Sequence, residues 1–79
     1  MATKQILSPL PGTFYRRPAP DKPPYKEVGD SVAAGDIVGL VEVMKTFYEV
    51  KAESAGKIAK FHIRNEDAIQ AGDPIADLD

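Results

Sequence analysis

Few side chains in this sequence have a type and spacing that could do chemistry. The sole histidine, His62, stands between Phe61 and Ile63 in a strand-like run, where an imidazole is more often structural than a general base or ligand. There is no cysteine, which excludes thiol nucleophiles, thiolate zinc sites and disulfides. No HExxH or paired-histidine pattern offers ligands to a metal. The six glycines are scattered singly rather than gathered in a phosphate-cradling loop. Asp30, Asp36 and Asp73 adjoin glycines, and Asp67 holds the matching place in a repeat. Such carboxylates bond readily to nearby backbone donors, so they read as turn formers rather than acid–base pairs. The sequence therefore implies no catalytic residue and no metal site.

One amine stands apart. Lys45 lies between the apolar runs Ile37–Val43 and Phe47–Ala52, a gap that only a tight hairpin fits, with Val43-Met44-Lys45-Thr46 as its four-residue turn. Two-residue hairpin loops favour Asn-Gly, Asp-Gly or another glycine pair, because their central residues need positive φ. Met44-Lys45 is poor local chemistry for that task, at about 1–2 kcal/mol per left-handed non-glycine residue. Local rules tend to fail where function overrides them. A lysine amine is mostly protonated at neutral pH and is a weak nucleophile alone. An enzyme bringing an activated acyl group can still acylate it. Met44, a flexible apolar residue at an exposed tip, adds a recognition surface. The competing reading is that Lys45 is simply a solvated lysine, one of seven.

The elements that must position this amine are short strands. Seven prolines and six glycines cut the chain into pieces too short for most amphipathic helices. The pieces rich in β-branched and aromatic residues are Gln5–Leu7, Thr13–Tyr15, Ile37–Val43, Phe47–Ala52, Lys57–Ile63 and Ile75–Leu78. Tyr48, Val50 and Ala52 alternate with Phe47, Glu49 and Lys51, the period of a half-buried strand. Six or more strands in 79 residues predict an all-β sandwich or flattened barrel.

The chain also repeats. Ala34-Gly35-Asp36-Ile37-Val38 returns as Ala71-Gly72-Asp73-Pro74-Ile75, a spacing of 37 from Gly35 to Gly72. Upstream, Gly12-Thr13-Phe14 matches Gly56-Lys57-Ile58 at a spacing of 44. Two strand-turn-strand units of this kind, related by a pseudo-twofold axis, would close a core between them. The difference in spacing assigns seven extra residues to the first half, within Arg16–Lys26. That insert carries four of the seven prolines. It reads equally as a solvated connection or as a semi-rigid flap on one half only.

Composition bounds the rest. The chain is one domain over 1–79, and a domain this small buries only about 60% of its unfolded surface. Ten basic against twelve acidic side chains leave a charge of −2, which disfavours a nucleic-acid binder. No long apolar stretch follows Met1-Ala2-Thr3-Lys4-Gln5, so neither signal peptide nor membrane anchor is expected, and the implied location is cytoplasmic.

Glu42-Val43-Met44-Lys45, with Gly35-Asp36 upstream and Ala52-Glu53-Ser54-Ala55-Gly56 downstream, resembles the biotinyl domain of biotin carboxyl carrier proteins. The likeness runs from Ser8-Pro9-Leu10-Pro11-Gly12-Thr13-Phe14-Tyr15 to Ile75-Ala76-Asp77-Leu78. It is strongest to the acetyl-CoA carboxylase branch, whose Pro-rich "thumb" Arg17-Pro18-Ala19-Pro20-Asp21 resembles. Methionine directly before the lysine is the biotinyl pattern, whereas lipoyl domains of the same fold usually read Asp-Lys-Ala. This chain departs from the usual pattern in Val43, where the family has alanine, and in Thr46, where it has a second large apolar residue.

The resemblance implies the flattened hammerhead fold and a non-catalytic carrier with biotin joined as an amide to Lys45. It casts Met44 and Glu42 as recognition residues and Val43 and Thr46 as shaping the hairpin. It implies three partners: a biotin protein ligase, a biotin carboxylase and a carboxyltransferase serving an acyl-CoA in fatty acid biosynthesis. The chain would be either a compact stand-alone carrier or the C-terminal domain of a longer one. Two alternatives stay open, a lipoyl carrier for a 2-oxoacid dehydrogenase and an unmodified hammerhead used as a binding module.

Overall fold

In the computed structural model, which describes residues 4–79, every regular element is a strand. They are β1 (Lys4–Leu7), β2 (Gly12–Tyr15), β3 (Ser31–Val32), β4 (Ile37–Val43), β5 (Thr46–Lys51), β6 (Gly56–Phe61), β7 (Asp67–Ile69) and β8 (Pro74–Leu78). Two four-stranded antiparallel sheets form, one in the order β1-β8-β6-β3 and the other β5-β4-β2-β7. Their inner faces meet in a single core of Phe14, Val38, Val41, Val50, Ile58, Ile69, Ile75 and Leu78, with smaller neighbours. Phe14 is fully buried, and it packs where Gly39 leaves room. A Cβ at Gly39 would come within 2.5 Å of the Phe14 ring and 2.8 Å of the Tyr15 carbonyl oxygen.

The repeat becomes a structural twofold, though not of two separate strand-turn-strand units. The first half supplies β1 and β3 to one sheet and β2 and β4 to the other. The second half does the same in mirrored roles, so each sheet draws on both halves. The symmetry extends to single hydrogen bonds. Gly35 N–H donates to Ala52 O and Gly72 N–H to Ser8 O, each at 2.8 Å.

All four repeated aspartates close turns in one way. The backbone N–H groups of Glu27, Ala33, Arg64 and Gln70 donate to Asp30, Asp36, Asp67 and Asp73 respectively, at 2.9 to 3.1 Å. Each is a side-chain-closed turn of the kind these residues form readily.

Two expectations need correction. His62 does not lie within a strand, because β6 ends at Phe61. The chain bends there, and His62 Nε2 reaches Asp77 Oδ1 on β8 at 2.8 Å. The strands β3 and β7 lie outside the six expected runs; two and three residues long, they are too short to show a period. The Arg16–Lys26 insert leaves β2 and is pinned at its neck. Tyr25 N–H donates to Arg16 O at 2.8 Å, Arg16 N–H to Asn65 Oδ1 at 2.8 Å, and the Arg16 guanidinium lies 4.2 Å from the centroid of the Phe61 ring.

Candidate functional site

Strands β4 and β5 pair from Ile37 opposite Lys51 to Val43 opposite Thr46, leaving Met44 and Lys45 alone in the turn. Both are left-handed, with φ of 50° and 67°, the conformation a type I′ hairpin demands. A right-handed sheet twist is matched by that turn, so the long β4–β5 ladder holds two unfavourable residues in place. The five residues singled out in the sequence all fall on this hairpin. Glu42 and Val43 end β4, Met44 and Lys45 form the tip, and Thr46 starts β5.

Their environments differ. Val43 packs against the core and anchors the hairpin from inside. Met44 is 93% exposed, with its thioether free for a partner. Lys45 and Thr46 are also exposed, and Lys45 enters none of the hydrogen bonds or ion pairs among the described residues. Its amine is open to any enzyme that can grip the tip.

Glu42 is half-buried and held. The Tyr15 hydroxyl donates to Glu42 Oε1 at 2.9 Å. That bond, above all other influences, raises the pKa of Tyr15 above the ordinary tyrosine value, because ionised Tyr15 would face the carboxylate without its proton. Phe47, 56% exposed, sets its ring against Tyr15 with centroids 5.9 Å apart and planes tilted by 54°. Tyr15 and Phe47 are the residues the sequence reading missed. Only the strand register, Thr13 opposite Glu42 opposite Phe47, brings them to the hairpin base.

Beside this cluster a pocket of about 420 Å³ opens between the insert and the sheet, lined by Tyr15, Phe47, Asn65, Glu66 and the Arg17–Pro20 stretch. No group of three or more potential metal ligands occurs among the described residues. No helix there is long and apolar enough to cross a membrane.

The site is thus an exposed lysine at the left-handed apex of a two-sheet β domain. The model for the family described as biotin-requiring enzyme, the biotin/lipoyl family, matches residues 4–78, and the chain belongs to that family. The chain is 48% identical to the biotin carboxyl carrier protein of acetyl-CoA carboxylase from Chlamydia pneumoniae, over 85% of this chain and 40% of that protein. It is 45% identical to the protein of the same description from Chlamydia muridarum, over 85% of this chain and 41% of that one. Among solved structures, urea carboxylase of Kluyveromyces lactis superposes with a TM-score of 0.77 at 36% identity, over 96% of this chain and 6% of that enzyme. The chain thus spans about 40% of the length of these carrier relatives.

Proposed function

We propose that this domain is the biotin-bearing unit of an acyl-CoA carboxylase of the acetyl-CoA carboxylase type, and that Lys45 Nζ is the attachment atom. The observation that carries the reading is the apex itself. Two adjacent non-glycine residues occupy left-handed turn positions, and the second is an exposed lysine. The β4–β5 ladder requires left-handed residues at these two places but not these side chains, and presentation of an amine accounts for the lysine. The relatives named as carriers of acetyl-CoA carboxylase support the choice of complex.

The residues present fit the cofactor. The tip leaves the Lys45 amine clear for acylation, and the pocket two residues away along β5 offers aromatic and proline walls with polar edges from Asn65, Glu66 and Arg17. That lining suits a largely apolar bicycle with a polar urea edge. Once attached, biotin supplies a ureido nitrogen that takes up and releases a carboxyl group.

The chain's own residues do the rest. Lys45 Nζ, after loss of a proton to solvent, attacks the carbonyl carbon of biotin that a biotin protein ligase has activated with ATP as its adenylate, and the amide forms as the bond to AMP breaks and AMP leaves. Met44 and Glu42 give that ligase an apolar tip and an acidic base to read. Val43 fixes the hairpin to the core, and Thr46 sets the first pair of the ladder. The insert over 16–26, within a domain spanning 1–79, acts as a thumb beside the attached group. Tethering raises effective concentration at a biotin carboxylase and then a carboxyltransferase, while the protein supplies position and the cofactor supplies chemistry. The domain itself catalyses nothing, and we place it in the cytoplasm with its ligase.

Intact-mass measurement tests this. Incubation with biotin protein ligase, ATP and biotin should add one biotinyl group. Peptide sequencing should place it within 37–51 at Lys45, and Lys45→Arg should abolish it. A lipoyl addition instead, or a label on another lysine, would overturn the assignment. Deleting the insert should leave the fold intact and change the rate of carboxyl transfer.

A further inference from the structure

We infer that Tyr15 is a positioning residue for cofactor attachment: its hydroxyl holds Glu42 so that the ligase meets a fixed carboxylate at the base of the hairpin. The inference rests on the reading of Lys45 as the attachment amine.

Strand register puts Thr13 opposite Glu42, Tyr15 opposite Leu40, and Glu42 opposite Phe47. Directly paired residues share a face, so Tyr15, Glu42 and Phe47 meet on the outer side of the β5-β4-β2-β7 sheet. Leu40, on that same side, is buried yet stands outside the core cluster. The three side chains form a chain of support. Phe47 braces the Tyr15 ring, and the Tyr15 hydroxyl fixes Glu42 Oε1. Glu42 stands three residues before Lys45, and Phe47 two residues after it.

No ion pair engages Glu42 among the described residues, and the Tyr15 hydroxyl is the one side-chain partner of its carboxylate there. Oε2 is therefore available. An ionised carboxylate only accepts hydrogen bonds, so the complementary group on the ligase is a donor, either a cationic side chain or a backbone N–H. A free glutamate must surrender rotamer freedom when such a partner docks. The tyrosine removes that freedom beforehand, which strengthens encounter without touching the acyl-transfer step.

Steady-state biotinylation of the intact chain by its ligase tests this, with the carrier as the varied substrate. Tyr15→Phe deletes the hydroxyl and keeps the ring. It should raise KM about fivefold, on the scale of one side chain's ordering cost, with kcat unchanged and the melting temperature close to wild type. Glu42→Gln should raise KM further. Glu42→Ala removes the acceptor altogether, so adding Tyr15→Phe to it should change nothing more, because the hydroxyl acts only through that side chain. Glu42→Asp keeps the charge but draws it back by one methylene, so it should match Tyr15→Phe, and it carries the test should the tyrosine variant fail to fold. A wild-type KM in Tyr15→Phe or Glu42→Asp, or independent multiplication of the two effects in the double variant, overturns the inference. A wild-type chain that takes up no biotin overturns the attachment reading and this inference with it.

Discussion

Met44 and Lys45 both sit at positive φ, and the structure holds them there through the β4–β5 ladder rather than through anything local. A left-handed non-glycine residue costs about 1–2 kcal/mol, and glycine or asparagine would relieve most of it. The double replacement Met44→Asn with Lys45→Gly should therefore stabilise the domain by about 1–3 kcal/mol. In a chain this small each kcal/mol moves the melting temperature by about 4–8 °C. The same protein should take up no biotin. Calorimetry alongside intact mass checks both halves, and an unchanged or lower melting temperature would show that the turn is not strained. The place of Lys45 in a left-handed turn was legible in the sequence for this reason, since a misfit residue pair in an obligatory turn is a local signal. The Tyr15–Glu42 bond was not legible, because it joins residues 27 apart in the chain. No periodicity encodes which outer-face side chains of neighbouring strands will touch.

Among the elements, the four aspartate-closed turns show how much of the fold was written locally. Asp30, Asp36, Asp67 and Asp73 each accept the N–H three residues earlier, and the 37-residue repeat announced them in advance. The longer strands were equally readable, and Ile37–Val43 matches β4 end to end. What escaped were β3 and β7, which exist because Val32 and Ile69 drop into the core while a neighbouring strand supplies the ladder. Two or three residues carry too little pattern to be read alone. The interleaving of the halves escaped for a related reason: a repeat fixes equivalence but not which sheet each copy joins.

The symmetry also exposes one asymmetric cost. Gly29 at φ 94° has its twofold mate in Glu66 at φ 69°. Their amides make matching bonds, to Ile58 O at 2.7 Å and Phe14 O at 2.6 Å. Glycine is at ease there and glutamate is not. Glu66→Gly should raise stability by about 1 kcal/mol, seen as a higher urea midpoint with an unchanged slope. A lower midpoint would mean that the Glu66 side chain contributes more than its backbone costs.

Across the whole molecule, the order β1-β8-β6 means that the first and last described strands pair directly, Lys4 opposite Leu78. One carboxylate fastens that arrangement. Asp77 on β8 accepts from His62 Nε2 at 2.8 Å, just beyond β6, and from Gln5 Nε2 at 3.0 Å on β1. The His62 bond first, and the Gln5 bond after it, hold the Asp77 pKa below the ordinary carboxylate value. Asp36 is depressed likewise, mainly by the Ala33 N–H and then by Lys26. A carboxyl group whose folded pKa is depressed binds a proton more readily in the unfolded chain. Its stabilisation is complete above the unfolded value of about 3.9 and is lost as pH falls below that toward the folded value. Urea midpoints of the wild type should hold steady from neutral pH down to about 5 as far as these two groups are concerned, then fall as pH drops below about 4. Asp77→Asn should be less stable near neutrality, because the ionised acceptor is gone, and should show a shallower acid limb, because one linked proton is gone too. Parallel acid limbs in the two proteins would mean that the clasp across β1, β8 and β6 carries no folding energy. The cohesion of the interleaved halves would then rest on the apolar core and on the ladders that join them.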